Sequence, residues 1–527
     1  MALAKELYRE LQDIVGPEYL SEEKVVMDGY AWHGFGLLGP EPEDRFQTVP
    51  EAVVLPGSTE DVQAIVKWAN RRGVQFKPQV TAFGAHANVG KPGQIILDLR
   101  RMNRILEFDE KNMYMVVEPY VSFITVMAEA QKRGLYVNGL GSGSHVSVLA
   151  SITSMHGNNC LAITQGYSGR NLLGCEWVLP TGDIVRTGAL GSGAGWFSGD
   201  GPGPSLRGVI RGAGGAMGGL GVFTKAAVHL HPWPGPAEIK VKGVSPYYNG
   251  EIPPLMEYHL LEFPDWTSYG AAQYKLAESG ILFSIQKGGG PGTVGYSVTG
   301  NNNEYYEAWK KGELMPPVSS FAITLNAYSE KEHAYQVKTL NQILADTGGR
   351  ISPVGEKTDW KERDFLHLIK NCFTLRGAYR PTGQFVVDSV IGNDTIGSTV
   401  LGVEKDVELR DIWMEKGFIL NDGTHSGWQS VFEGGHMALH ECGQDYDPFN
   451  KVTYQQMYQL LRDGNKIAVE TPMSLGWSLS GAFGGITSLS RHFCDYAHWM
   501  QQVKIALDPR EASDPSGYIS AHDVIRK

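Results

Sequence analysis

The amino-acid sequence predicts an α+β protein built from two domains, and three observations support this prediction. The chain has 527 residues, more than one ordinary hydrophobic core can organise. Between residues 50 and 230, short apolar runs are bounded by turn residues, as strands joined by loops are. After a Pro-rich linker at residues 231–236, helix-like and strand-like segments alternate with more charge, which indicates a second domain.

The composition excludes several classes of protein. A hydrophobic content of 42% and a charged content of 20% describe a globular chain, and the net charge of −11 argues against nucleic acid as a partner. No run of 18 apolar residues occurs, so we expect no membrane span. The five cysteines are scattered and the first residues lack a signal-peptide pattern, so we expect reduced thiols in a cytoplasmic protein.

The first domain begins with an α/β unit. Residues 1–15 predict a charged amphipathic helix, and residues 53–55 predict a short strand. Ser58 is a helix N-cap, and the helix that follows ends at Gly73 after two arginines, as helix C-termini prefer.

A loop of small residues, 81–93, lies between two predicted strands at residues 74–76 and 95–99. Small side chains let backbone N–H groups approach a ligand closely, and successive N–H groups form an anion-binding concavity. The loop therefore predicts a phosphate-bearing cofactor. A Rossmann site is disfavoured, because the glycines at 212–221 precede a strand instead of opening a helix.

Further elements follow in order. Residues 105–108 and 113–118 predict a hairpin, and residues 123–132 predict a helix. A second small-residue stretch, 139–159, leads into another hairpin at 173–179 and 184–187.

These motifs resemble a known family. Residues 98–105, Glu118-Pro119, the hairpin residues 173–188 and the glycine-rich residues 201–225 are similar to the vanillyl-alcohol oxidase and p-cresol methylhydroxylase (PCMH) flavoproteins, which include glycolate-oxidase-like and D-lactate-dehydrogenase-like relatives. The resemblance implies a two-domain PCMH-type FAD-binding fold with an α+β cap domain that carries an antiparallel sheet. The expected boundaries are 1–235 for the FAD domain, 236–475 for the cap or substrate domain, and 476–527 for a C-terminal segment that returns to the FAD domain.

FAD is the expected cofactor, because the two small-residue stretches provide more backbone than one phosphate needs. Some relatives link FAD through a histidine, but the spacing at His86 departs from theirs, so we expect a non-covalent complex. The residues that the resemblance places along FAD are Pro78, Thr81, Phe83, Gly84, Ala85, His86, Gly141, Ser142, Ser151, Ser154, His156, Gly157, Gly166, Tyr167, Gly169, Gly221 and Val222.

The predicted catalytic residues are Arg376, His436, His440 and Tyr167. Arg376 matches an arginine that clamps a substrate carboxylate in hydroxy-acid dehydrogenases, although most arginines simply lie at the surface. The histidines are candidates for the base that removes an O–H proton. Glu433 and His440 align with two metal ligands of some relatives. Ala482 stands where the third ligand would be, so we expect no metal.

The implied function is an FAD-dependent oxidoreductase that takes a hydride from an alcohol or 2-hydroxy-acid C–H bond. Two alternatives stay open: oxidation of a para-substituted phenol, and a flavoprotein subunit that relays electrons within a complex. The implied partners are a small-molecule substrate and an electron acceptor, which could be oxygen, a quinone or an electron-transfer protein. A homodimer is a further alternative.

Overall fold

The structure is a computed structural model. It describes residues 3–31, 48–82, 87–139, 143–155, 157, 159–193, 195–212, 214–243, 249–287, 299, 301–313, 318–370, 385–387, 392–421, 427–441, 443–447, 449–471 and 485–525.

The first sheet has four strands in the order β1-β2-β4-β3, and β4 is parallel to both β2 and β3. Helix α3 connects β2 to β3 and begins where predicted, because Ser58 Oγ accepts the Asp61 N–H at 3.1 Å. It ends at Gly73, whose φ of 66° is left-handed. The elements are α1 Lys5–Val15, β1 Leu20–Ser21, α2 Lys24–Ala31, β2 Ala52–Val54, α3 Thr59–Arg72, β3 Gln75–Gln79 and β4 Gln94–Asp98.

The second sheet is antiparallel, with five strands in the order β5-β6-β10-β8-β9. Both predicted hairpins belong to it. The elements are β5 Ile105–Asp109, β6 Tyr114–Val117, α4 Phe123–Gln131, β7 Leu135–Tyr136, α5 Val148–Thr153, α6 Ala162–Gln165, β8 Leu172–Val178, β9 Ile184–Arg186, α7 Arg207–Ile210, β10 Val222–His229 and β11 His231–Pro232. Short strands β7 and β11 pair with each other.

The chain between residues 241 and 470 is called the cap region below. Its described residues form a four-stranded antiparallel sheet ordered β15-β16-β14-β17, a three-stranded one ordered β19-β21-β20, and the two-stranded pairs β12-β13 and β18-β22. A bridge between Lys287 and Gln429 joins the first two sheets edge to edge. The elements are β12 Val241–Lys242, β13 Asn249–Gly250, β14 Met256–Glu262, α8 Trp266–Ser279, β15 Ser284–Gln286, α9 Asn302–Lys310, β16 Ser320–Asn326, α10 Glu330–Thr347, β17 Arg350–Ile351, α11 Thr358–Lys370, β18 Phe385–Val387, β19 Gly392–Asp394, α12 Ile396–Glu415, β20 Trp428–Phe432, β21 Met437–Glu441, β22 Gly443–Asp445 and α13 Lys451–Glu470.

The last residues pack against the first sheet. Helices α14 Gly485–Ser488 and α15 Tyr496–Leu507 precede residues 508–519, which run beside β3. Phe76 N donates to the Ala512 carbonyl, and Asp514 N donates to the Phe76 carbonyl, both at 2.9 Å. Ala512 thereby joins the hydrophobic core of the first sheet.

The mixed helices and antiparallel sheets confirm the predicted α+β class. Within the described part of the chain, no helix is both long enough and apolar enough to cross a membrane.

Candidate functional site

A cavity lies at the carboxyl end of β3, which is where ligands bind in open α/β sheets. One wall is residues 77–82 and Ala87, and the opposite wall is α5 with the residues around it. The lining residues are Lys77, Pro78, Gln79, Val80, Thr81, Ala82, Ala87, Val146, Ser147, Ala150, Ser151, Ser154, Met155, Met217 and Gly218.

The lining fits a large cofactor. Most of these side chains are small, so backbone N–H groups can reach a ligand. Ser147 N donates to Thr81 Oγ1 at 3.0 Å, which ties the two predicted small-residue stretches together. The donor set and the shape therefore suit FAD.

A polar network holds the second small-residue stretch. Asn159 donates to the Asn138 side chain and to the Gly139 carbonyl, and Asn138 donates to the Gly166 carbonyl. Ser168 Oγ accepts the Gly157 N–H at 2.9 Å and donates to the Ser151 carbonyl at 2.7 Å. Because Asn138, Asn159 and Ser168 are buried, these bonds hold the second small-residue stretch in place beside the cavity.

The predicted cofactor residues are placed as follows. Pro78, Thr81, Ser151 and Ser154 line the cavity, and the network above holds Gly157, Gly166 and the segment with Tyr167 and Gly169. The Gly221 N–H is already bound to Ser513 Oγ at 2.9 Å, and Val222 pairs with Val178 in the sheet. The predicted residues Phe83, Gly84, Ala85, His86, Gly141, Ser142, His156 and Arg376 lie outside the described residues, as does Ala482.

One face of the sheet β19-β21-β20 packs against α6 and Tyr167. Tyr167 stacks on Phe432 with ring centroids 5.9 Å apart, and burial raises the Tyr167 pKa. Strand register puts Trp428, Phe432 and Met437 on the same face, where they cluster with Ala162 of α6. This face, defined by Tyr167, Trp428, Phe432, Met437 and Leu439, is called the aromatic face below.

Glu441 belongs to the aromatic face. It pairs with Trp428 across the strands, two residues beyond Leu439, and the side chains of a strand alternate between its faces. Among the described residues no hydrogen bond or ion pair reaches its carboxyl group. The residue is partly exposed, and desolvation by the protein atoms packed around its carboxyl raises its pKa to about 7. An acid that titrates near neutral pH suits proton transfer.

The two predicted catalytic histidines lie elsewhere. His436 is exposed, at the turn between β20 and β21. His440 is buried on the opposite face of β21, where its Nδ1 lies 3.2 Å from the Trp428 carbonyl. Burial lowers its pKa, against the opposing influence of Asp406 on α12. The structure therefore brings neither histidine to Tyr167.

Glu433 is engaged in an ion pair with Arg170, at 3.0 Å between Oε1 and Nε. This pair joins the cap hairpin to the FAD domain. Within the described ranges, no three His, Cys, Asp or Glu side chains converge as metal ligands.

Sequence reasoning missed Glu441 and Lys77. For Glu441, a signal existed in the alternation Met437, Leu439, Glu441, which places the acid in line with apolar residues. For Lys77, its position next to Pro78 at the start of the loop was the available clue.

Comparison with protein families supports the cofactor. Residues 50–188 match the family model described as FAD binding domain. The curated relatives include glycolate oxidase subunit GlcD of Bacillus subtilis (strain 168), which is 25% identical over 44% of this chain and 46% of its own length. The 4-cresol dehydrogenase flavoprotein subunit of Pseudomonas putida is 31% identical over 37% of each chain. This chain thus spans less than half the length of these two relatives.

Comparison with solved structures extends over the whole chain. Substrate-bound p-cresol methylhydroxylase matches with a TM-score of 0.74 at 17% identity, covering 98% of this chain and 97% of that one. The 4-ethylphenol oxidase of Gulosibacter chungangensis matches with a TM-score of 0.73 at 18% identity, covering 97% and 96%. The chain therefore carries an FAD binding domain and has the fold of the p-cresol methylhydroxylase flavoproteins.

Proposed function

We propose that this protein is an FAD-dependent oxidoreductase that takes a hydride from an alcohol or 2-hydroxy-acid C–H bond. FAD, when bound, supplies the hydride acceptor. The observation that carries the proposal is the carboxyl of Glu441 on the aromatic face, which no hydrogen bond or ion pair reaches from the part of the chain that the structure describes. A base is needed there because an alcohol loses its O–H proton as its C–H bond breaks.

In this proposal, Glu441 is the proton acceptor in place of His436 and His440. Its carboxylate takes the substrate hydroxyl proton, while the C–H bond electrons leave as hydride and a C=O bond forms. The apolar side chains of Trp428, Phe432 and Leu439 exclude water, which strengthens polar interactions with the reacting oxygen. Tyr167, whose raised pKa keeps it protonated, is a hydrogen-bond donor to that oxygen.

The substrate class depends on the available cations. A hydroxy acid needs a cation for its carboxylate, and Arg376 is the proposed clamp. Near the aromatic face, Arg170 is already paired with Glu433. The second candidate function is oxidation of a para-substituted phenol, and it is favoured by the aromatic and apolar character of this face.

Anaerobic mixing of the purified holoprotein with single substrates tests the proposal. Glycolate, D-lactate and D-2-hydroxyglutarate represent hydroxy acids, and p-cresol and 4-ethylphenol represent phenols. Bleaching of the flavin absorption by a member of either class supports an oxidoreductase and selects the class. The electron-relay alternative would be favoured by a different result: dithionite reduces the flavin, but no member of a broad panel of alcohols, hydroxy acids and phenols does.

Arg376→Ala separates the two substrate classes. With a hydroxy acid, loss of the clamp should lower kcat/KM. The loss should correspond to about 1.5–3 kcal/mol of activation free energy, the value of a hydrogen bond to a charged group. With a phenol, which carries no carboxylate, kcat/KM should stay near wild type. Full activity of Arg376→Ala on a hydroxy acid would contradict the clamp.

The electron acceptor is proposed at class level only: oxygen, a quinone or an electron-transfer protein. Reoxidation of the reduced holoprotein by oxygen, by a soluble quinone and by an electron-transfer flavoprotein would separate these classes by rate. Size-exclusion chromatography with light scattering would test the homodimer.

A further inference from the structure

A buried lysine links the cavity to the C-terminal segment. Lys77 Nζ donates to the Met217 carbonyl at 3.4 Å and to Ser516 Oγ at 3.3 Å, and it lies 3.7 Å from Asp514 Oδ2. The side chains of Lys77 and Asp514 are each 1% exposed. Since neither charge reaches water, solvent and salt screen this pair weakly.

Asp514 also holds the other end of the predicted phosphate loop. Gly90 N donates to Asp514 Oδ2 at 2.9 Å. Burial alone would raise the pKa of Asp514, but Lys77 and the N–H groups of Ser516 and Gly90 outweigh it and hold the pKa below its usual value. The approach is close, since a Cβ on Gly90 would lie 2.3 Å from the Ser516 Cβ. One carboxylate therefore ties together the residues that begin and end the loop.

The charge balance of the cavity points to Lys77. It is the only charged side chain among the described residues that line the cavity. The diphosphate of FAD brings negative charge into this space, and a buried anion requires a cation or several N–H donors. The ammonium group has three donors, and its contacts with Met217 and Ser516 are long while Asp514 lies beyond hydrogen-bond distance.

We propose that Lys77 is an FAD-binding residue that compensates the diphosphate charge from the cavity wall, and that Asp514 and Ser516 position its ammonium group. The C-terminal segment thereby takes part in holding FAD, although the sequence separates it from the loop by the whole cap region. This inference concerns cofactor binding, so it is independent of the proposed reaction.

The affinity of the apoprotein for FAD tests the proposal. FAD is titrated into wild-type, Lys77→Met and Asp514→Asn apoprotein, and quenching of flavin fluorescence reports binding. We expect Lys77→Met to raise the Kd about 10- to 100-fold, because the diphosphate loses a positive charge that solvent screens weakly, and Asp514→Asn to raise it less. The matched control is Lys287→Met, because Lys287 is also 1% exposed but lies in the cap region, at the carbonyls of Val318 and Ser320.

Competition separates charge from packing. With FAD at the same multiple of its Kd for each protein, displacing half of the FAD should require more ADP for Lys77→Met than for wild type, whereas the required concentration of adenosine, which lacks phosphate, should be the same for both. If ADP and adenosine lose competition to the same degree, or if folded Lys77→Met binds FAD like wild type, the proposal is wrong. If Lys77→Met does not fold, Lys77→Arg is tested instead. Charge compensation requires the folded Lys77→Arg protein to keep its affinity for FAD. A loss of FAD affinity with an unchanged preference for ADP over adenosine would overturn the proposal.

Discussion

The FAD domain and the cap region treat buried charge differently. In the FAD domain, Glu118 pairs with Arg104 at 2.7 Å, and Glu176 pairs with Lys225 at 2.9 Å. Lys504 of the C-terminal segment pairs with Asp508 at 2.6 Å, both almost fully buried. In the cap region, Glu262 is also paired, with Arg350, but Lys287 and Glu441 have no counter-ion among the described residues, and desolvation alone shifts the pKa of each.

This difference separates scaffold from site. The attraction within a buried ion pair offsets the desolvation of its charges and holds two segments together. A buried charge without a partner lowers the free energy of unfolding. Unpaired groups with shifted pKa values concentrate where chemistry happens. The comparison therefore assigns holding of the fold to the paired charges, and it supports the proposed role of Glu441 in proton transfer.

The largest expected effect is on Glu441. Glu441→Gln should slow flavin reduction by the true substrate about 100- to 10,000-fold, the usual contribution of a positioned base, while FAD content stays unchanged. In wild type the rate should rise with pH through about 7, because only the carboxylate accepts a proton, and this step should vanish in the variant. Stopped-flow absorption across pH measures both, and Glu408→Gln, on the surface of α12, is the control. Retention of the pH step in Glu441→Gln would assign it to another group.

Breaking a scaffold pair should act on stability instead. Asp508→Asn leaves Lys504 charged and without its partner in the interior, so the free energy of unfolding should fall by about 3–5 kcal/mol. Urea unfolding of the holoprotein gives the value, and Asp28→Asn, which removes a pair that is exposed at both ends, should change little. Flavin reduction per bound FAD should be unaffected, and equal small losses for both variants would contradict the distinction between the two pairs.

Lys287 should make stability depend on pH in a defined direction. Burial lowers its pKa to about 7 from 10.5, so between these values the unfolded chain binds a proton that the folded chain does not. Stability should therefore rise by on the order of a few kcal/mol from pH 7 to pH 10, and the gain is lost as pH falls toward 7. Lys287→Met should flatten this slope in thermal unfolding measured across pH. An unchanged slope would show that Lys287 is not its source.

The smallest effect is expected at the contact between the two regions. Arg170 is 58% exposed, so its pair with Glu433 is largely solvated. Arg170→Gln should lower the free energy of unfolding by less than about 1 kcal/mol. A loss of several kcal/mol in urea unfolding would show that this pair joins the two regions more strongly than its exposure indicates.

The fold was predictable where the signals are local. Ser58 and Gly73 were expected at the two ends of α3, and capping chemistry places them there. The order of strands in each sheet was not predicted, because pairing depends on partners far away in the chain.

The site was predictable only in part. Thr81 and Ser151 were expected beside FAD and line the cavity. His440 was chosen over its neighbour Glu441 because the sequence does not show which face of β21 meets α6, and a shift of one residue exchanges the two faces. Lys77 was missed because its partner Asp514 lies 437 positions further along the chain, as the numbering of the two residues shows.

The position of residues 508–519 against β3 has a consequence for synthesis. The ribosome makes the loop at residues 81–90 early, but Ser513 and Asp514, which bind Gly221 and Gly90, appear only after the entire cap region has been made. During that interval the first sheet lacks its last neighbour, and its cavity lacks the groups that position Lys77. The nascent chain therefore has to keep this edge from pairing wrongly, and stable loading of FAD should come as a late event, after translation of the C-terminal segment.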